Sequence, residues 1–182
     1  MIDTTASSRR VLCLCGSLRR VSSSRAALEA ARALAPASFE LVGYDGMNEL
    51  PWFNPDLEAA ALPPAARALR EAVAQADALL IACPEYAHGI PGAFKNLLDW
   101  LVGSTDFPGK AVLLLNCSAR ASHHAQDALM EVLKTMSARL LSPDPLPVRL
   151  PGAGTSAEAV LASDDRRREL QAALGCLIAR LA

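Results

Sequence analysis

The stretch Val11-Leu12-Cys13-Leu14-Cys15-Gly16-Ser17-Leu18-Arg19-Arg20-Val21-Ser22-Ser23-Ser24-Arg25-Ala26-Ala27 decides the fold. Val11 to Cys15 is an apolar run with no polar alternation, the pattern of a strand buried on both faces, and Gly16 ends it. From Ser23 to Ala35 the small apolar residues Ala26, Ala27, Ala30, Ala31 and Leu34 recur at three- and four-residue spacing, which predicts a helix. The unit is therefore strand, turn, helix. Outward from it the unit repeats. Phe39–Tyr44 reads as a second strand, followed by an irregular segment from Asp45 to Leu57 that holds Gly46, Pro51 and Pro55. Pro63-Pro64 opens a helix to Gln75, since proline is tolerated in a first turn. Asp77–Cys83 is a third strand, Pro91-Gly92 opens a helix through Leu101, and Ala111–Cys117 is a fourth strand. A helix over Ser122–Ser137, a weak fifth strand at Arg139–Ser142, a linker-like Pro143–Thr155 and a closing helix over Asp164–Leu181 complete the chain. Strands that alternate with helices and are apolar on both faces predict an α/β fold, a parallel sheet covered on both sides.

At 182 residues the chain is the size of one domain. The expectation is a flexible N-terminus over 1–9 and one domain over 10–182, because the proline-rich stretch lies too near the C-terminus to divide it. Apolar residues at 52% against 20% charged exclude the signature of disorder. Lys+Arg 18 against Asp+Glu 19 gives a net charge of −1, which offers no field to attract nucleic acid or an anionic membrane. The polar start, Met1-Ile2-Asp3-Thr4-Thr5, lacks the apolar core of a secretory signal, so a cytoplasmic protein is expected. No apolar run reaches the roughly 20 residues of a membrane span. Cys13, Cys15, Cys83 and Cys117 fall in strand-like runs and Cys176 in a helical one, which reads as reduced core thiols rather than a disulfide framework.

In an open parallel sheet the ligand sits beyond the carboxyl ends of the strands, so the loops after the first, third and fourth strands are the candidates. The first, Gly16 to Arg25, runs straight into a helix. Free backbone N–H groups at a helix start, hydroxyls on Ser17, Ser22 and Ser24, and a guanidinium from Arg19, Arg20 or Arg25 suit a phosphate. Serine capping of a solvated helix would explain one of these serines but not the composition of the whole loop. The loop is not the dinucleotide fingerprint, having a single glycine, nor a Walker loop, which needs Gly-Lys-Ser/Thr. The second loop is Pro84-Glu85-Tyr86-Ala87-His88-Gly89-Ile90-Pro91-Gly92, a stiff turn able to bring bare backbone against a flat ligand.

Gly-Ser-Leu-Arg-x-x-Ser at Gly16–Ser22, followed by Pro-Glu-Tyr-x-x-x-x-Pro-Gly-x-x-Lys-Asn-x-x-Asp-Trp at Pro84–Trp100, resembles the NAD(P)H-dependent FMN reductase family, which includes quinone, azo-dye and chromate reductases. The resemblance spans residues 10 to 140. It implies a flavodoxin-like three-layer sandwich whose five-stranded parallel sheet has the order 2-1-3-4-5. It also implies FMN as cofactor, NADPH or NADH as co-substrate, and a diffusible acceptor such as a quinone or free flavin. Carried onto this chain, the FMN-phosphate cradle would be Ser17, Arg19, Ser22 and Ser24, and the wall for the isoalloxazine ring would be Pro84, Glu85, Tyr86 and the backbone of Ala87, His88 and Gly89. The chain departs from many members at Ser24 and Ala87, where they carry Asn, and in Asn116–His124, which lacks their Gly-Gly-x-Arg. Hydride transfer to a flavin asks for stacking and dipoles rather than a catalytic side chain, so no catalytic residue is expected.

Two readings compete with this one. A flavodoxin-like carrier docking on a redox partner would want the complementary charge that a balance of −1 does not supply. A flavin-free binding domain on the same fold is the other. His88, His123 and His124 all fall on loops at the proposed site edge, but neighbours on a helix start point about 100° apart, so no metal site is expected. Lys95 and Asn96 read as a snorkelling lysine and a buried amide, and Arg166-Arg167-Arg168 as a solvated helix start. Trp52 and Phe53 stand in an irregular loop on the same carboxyl edge, which, with the resembled family's habit of building its site beside a subunit contact, predicts a homodimer or homotetramer.

Overall fold

The computed structural model describes residues 8–118, 123–152 and 154–181. Its strands are β1 (Arg9–Cys15), β2 (Phe39–Gly43), β3 (Ala78–Ala82), β4 (Ala111–Asn116), β5 (Arg139–Leu140) and β6 (Leu146–Pro147). Its helices are α1 (Ser23–Leu34), α2 (Pro55–Ala60), α3 (Pro64–Ala74), α4 (Gly92–Val102), α5 (His124–Thr135), α6 (Ala157–Leu161) and α7 (Asp164–Leu181), with a 3₁₀ turn at Gly46–Glu49. The sheet is parallel, in the order β2-β1-β3-β4-β5, the flavodoxin-like arrangement, and β6 also pairs with β4.

Alternation along the strands divides the core into two layers. Val11 and Cys13, with Ala78, Leu80, Ala82, Leu113 and Leu115, face α1, α6 and α7. Leu12 and Leu14, with Leu79, Ile81, Val112 and Leu114, face α3, α4 and α5. Successive side chains of a strand point to opposite faces, so a run apolar at every position is what a sheet covered on both sides requires. The fully buried Ala27 and Ala30 let α1 lie close on the sheet. On the other side α4 buries Phe94, Leu97, Leu98, Trp100 and Leu101.

Three features go beyond the sequence expectations. β1 begins at Arg9, whose N–H donates to the Ser38 carbonyl at 2.8 Å, so pairing starts before Val11; residues 1–7 of the N-terminal segment lie outside the described residues. The linker-like Pro143–Thr155 contributes β6, with Leu115 opposite Leu146 and Asn116 opposite Pro147, so the far edge of the sheet is two short pieces where one strand was expected. The irregular segment after β2 contains the 3₁₀ turn and α2, and α2 is tied to α3 by the Arg70–Glu58 ion pair. Among the described residues no helix is long and apolar enough to cross a membrane.

Trp52 and Phe53 part company. Phe53 turns inward, its ring 5.1 Å from that of Trp100 in an edge-to-face contact, while Trp52 is 78% exposed. Asn96 holds the segment by accepting from the Phe53 N–H at 2.7 Å and donating to the Pro51 carbonyl at 3.0 Å; Trp100 Nε1 donates to the same carbonyl at 2.8 Å. The buried amide expected at Asn96 thus has a purpose, the fixing of a loop that displays one aromatic and buries its neighbour.

Candidate functional site

The carboxyl edge of the sheet carries a cleft of about 360 Å³ at the β1/β3 crossover, where strand order reverses. Its first wall is the β1–α1 loop. Gly16 donates its N–H to the Ala82 carbonyl at 2.9 Å, and a Cβ at Gly16 would stand 2.7 Å from Cys83 Sγ and 2.9 Å from Cys83 Cα, so only glycine lets the two strand ends approach. Ser22 is the N-cap of α1, its Oγ accepting from the Arg25 N–H at 3.1 Å. Capping uses that hydroxyl as an acceptor and leaves its proton for another partner. Ser17 and Ser24 are buried yet line the cleft, and Arg19 reaches it from an exposed position. Arg25 is drawn elsewhere, its Nη1 3.0 Å from Asp45, and that hydrogen bond raises its pKa further. Of the three arginines considered for a phosphate, Arg19 is the one lining the cleft.

The opposite wall is Pro84, Glu85 and Tyr86. Ala87 (φ 50°) and His88 (φ 59°) are both left-handed, and Tyr86 and Gly89 exchange N–H···O bonds of 3.1 and 3.0 Å, so residues 86–89 form a two-residue hairpin turn. Those two bonds use the N–H groups of Tyr86 and Gly89, and do not consume the ones of Ala87 and His88. The turn swings the Tyr86 hydroxyl to 3.2 Å from Ser17 Oγ, bridging the two walls. Tyr86 therefore meets the β1–α1 loop as well as lining its own wall. Glu85 is the one carboxylate among the cleft-lining residues, and its Oε2 accepts from the Ala125 N–H at 3.0 Å at the start of α5. The carboxylate ties the loop to a helix forty residues away, where the helix dipole favours an anion.

The structure thus brings Ser17, Arg19, Ser22, Ser24, Pro84, Glu85 and Tyr86 onto one cleft and leaves Ala87, His88 and Gly89 outside its lining. His88 Nδ1 lies 3.4 Å from Glu85 Oε1, and the His88 and His123 rings flank His124 at 4.5 and 4.0 Å. Among the described residues no group of three or more His, Cys, Asp or Glu is placed to hold a metal ion. Of the third loop, Ala119, Arg120, Ala121 and Ser122 lie outside the described residues, and Cys117 and Ser118 line the cleft. Sequence reasoning missed Ser23, Cys83, Pro151 and Gly152, which line it as well. The one available signal was a pair of glycines, Gly152 and Gly154, after the weak fifth strand on the same edge. Burial pushes the Cys117 thiol up to about 12 and raises Cys83 more, so both line the cleft as neutral thiols.

The donor set fits a phosphate joined to a flat ring. Hydroxyls, a helix N-terminus and a guanidinium gather on one wall with no free carboxylate among the described lining residues, and Pro84 and Tyr86 stand on the other.

A family model described as NADPH-dependent FMN reductase matches residues 9–146. An NAD(P)H-dependent FMN reductase of Pseudomonas aeruginosa is 38% identical over 131 residues, covering 66% of this chain and 69% of the relative. A 2-hydroxy-1,4-benzoquinone reductase of Burkholderia sp. is 31% identical over 167 residues, 89% of this chain and 90% of that one. Among solved structures, a flavoenzyme NAD(P)H:(acceptor) oxidoreductase from Paracoccus denitrificans superposes with a TM-score of 0.73 at 25% identity, over 95% of each chain.

Proposed function

Because the chain belongs to the NADPH-dependent FMN reductase family and is an oxidoreductase of that type, we propose that it passes electrons from NADPH or NADH through FMN, held in the cleft at the β1/β3 crossover, to a diffusible acceptor, a quinone or free flavin. The observation that carries this reading is the cleft itself: buried serine hydroxyls and the start of α1 on one wall, and Pro84, Glu85 and Tyr86 on the other. All of it lies on one sheet edge, which supports reading residues 10–182 as a single FMN-binding domain. The quinone acceptor is supported by the Burkholderia relative's activity.

In this reading Ser17, Ser22 and Ser24 donate hydroxyls to the phosphate, Arg19 supplies its charge, and the α1 N-terminus adds dipole and N–H groups. Pro84 and Tyr86 wall the ring, and the hairpin through Ala87, His88 and Gly89 sets the Tyr86 side chain against Ser17. Glu85 holds that wall against α5. Bound there, FMN supplies acceptance of a hydride from reduced nicotinamide and its delivery to the acceptor. The side chains around it need only bind, orient and exclude water, which suits a site whose one lining carboxylate is already engaged.

Titrating the purified chain with FMN should give stoichiometric binding with a visible spectral shift, and no shift would sink the reading. Arg19→Ala removes a charge-assisted bond of about 1.5–3 kcal/mol and should weaken FMN roughly tenfold to a hundredfold while leaving riboflavin, which has no phosphate, nearly unchanged. Equal losses for both flavins would place Arg19 outside the phosphate site. Arg20→Ala, one residue on, is the control with the smaller effect.

The proposal extends to a homodimer or homotetramer. Trp52, 78% exposed, is held out by a backbone that Asn96 and Trp100 clamp on both sides, so it would lose little freedom on docking against a second copy. Trp52→Ala should cost about 2 kcal/mol or more of association, and move the protein toward monomer on dilution with its far-ultraviolet spectrum unchanged. A wild type that sediments as a monomer at micromolar concentration with FMN bound would contradict the dimer.

A further inference from the structure

The third wall of the cleft comes from Pro151 and Gly152, beyond the segment that the family model matches. Its position is set by a single oxygen. The Gly152 carbonyl accepts from Ser23 Oγ at 2.6 Å, from Thr155 Oγ1 at 2.9 Å and, more weakly, from the Thr155 N–H at 3.4 Å. Ser23 is the first residue of α1, directly after the Ser22 cap, so its hydroxyl stands where a phosphate donor would be looked for; it is committed to Gly152 instead. Thr155 is nearly buried. Gly152 (φ 142°) and Gly154 (φ 108°) take backbone angles that other residues rarely adopt, which lets the chain reverse tightly around that carbonyl.

A backbone carbonyl beside a phosphate cradle is an electrostatic liability, because its oxygen is an acceptor with partial negative charge facing a dianion. Tying both lone pairs to hydroxyl donors removes the liability. We propose that Ser23 and Thr155 are positioning residues that saturate the Gly152 carbonyl with hydroxyl donors where it borders the phosphate end of the cleft, and so make the site select a phosphorylated flavin over its dephosphorylated form. The proposal rests on the reading of this cleft as the FMN site. Without the two hydroxyls only the weak Thr155 N–H bond remains on that oxygen, and its unpaired charge beside the cradle would penalise FMN and leave riboflavin indifferent.

The test measures dissociation constants for FMN and riboflavin by flavin fluorescence quenching on the full chain. It compares wild type, Ser23→Ala, Thr155→Val, the double variant, and the hydroxyl-retaining Ser23→Thr and Thr155→Ser. The expected result is a fall of tenfold or more in the preference for FMN over riboflavin in the double variant, smaller falls in Ser23→Ala and Thr155→Val, unchanged riboflavin affinity, and a preference near wild type in the two hydroxyl-retaining variants. A merely structural role would weaken both flavins in parallel, and that outcome overturns the proposal. So does a double variant with the wild-type preference, which would leave the FMN reading standing. A wild type that binds neither flavin removes that reading and the proposal with it.

Discussion

Trp100→Ala should lower the free energy of unfolding by about 3–5 kcal/mol, whereas Trp52→Ala should leave the stability of the subunit within about 0.5 kcal/mol of wild type. The two tryptophans are the only ones in the chain, and they sit on either side of one loop. Trp100 is fully buried between α4 and the sheet, so truncation loses its transfer free energy and leaves a cavity that the helix cannot close. It also loses the edge-to-face contact with Phe53 and the 2.8 Å bond from Nε1 to the Pro51 carbonyl. Asn96 alone would then hold residues 51–53, and Trp52, left as the sole tryptophan, should show lower steady-state anisotropy when excited at the tryptophan edge. Trp100→Phe separates the contributions: most of the volume remains, and the loss of one hydrogen bond should cost about 1 kcal/mol. Urea unfolding followed by far-ultraviolet dichroism measures all three variants. A Trp100→Ala cost near that of Trp52→Ala would mean that α4 does not depend on this side chain.

How far the sequence carried the fold can be judged from the same residues. The uninterrupted apolar runs at Val11–Cys15, Ala78–Cys83 and Ala111–Leu115 were legible because a strand covered on both faces has no polar positions to confuse its period. The two cleft walls were legible because glycine, serine and proline at strand ends have few other uses. The edge of the sheet was not. β6 is two residues long inside a stretch with four prolines, and no periodicity can reveal a strand that short. Trp52 and Phe53 were a coin with two faces, since adjacent side chains in extended backbone point opposite ways and one of them had to be inside. In the structure Asn96 holds the backbone of Pro51 and Phe53, and Phe53 is the one turned toward Trp100. The reach of Tyr86 to Ser17 follows from a hairpin with left-handed Ala87 and His88, positions where Gly or Asn would have announced the turn. The pinning of Gly152 by Ser23 spans 129 residues, and no local pattern encodes such a contact.

The second large effect is alkaline. Cys13, Cys83 and Cys117 are buried, and desolvation is the main cause that raises each thiol: Cys13 and Cys117 go from an ordinary 9.0 to about 12, with Arg32 pulling Cys13 slightly back, and Cys83 rises further beside Cys15 and Cys117. In the unfolded chain these thiols ionise as the pH passes 9, while in the folded chain they keep their protons to about 12. Between those values the folded state binds more protons than the unfolded one, so stability falls as pH rises. The contribution is whole well below pH 9 and erodes by about 1.4 kcal/mol per thiol for each unit above it, until the folded thiols ionise in turn. At pH 10 the three together should cost the fold about 4 kcal/mol. Tyr44, raised by burial and by Glu49 from 10.0 to about 12, adds to the slope from its own higher onset. The urea midpoint measured at pH 8, 9 and 10 should fall modestly over the first interval, by about 1 kcal/mol of stability, and by about 3 over the second. In a Cys13→Ala, Cys83→Ala, Cys117→Ala variant the drop should shrink to what Tyr44 and the surface charges contribute, whatever that variant's stability at pH 8. A drop of the same size without the three thiols would show that their burial does not set the alkaline limit of this fold.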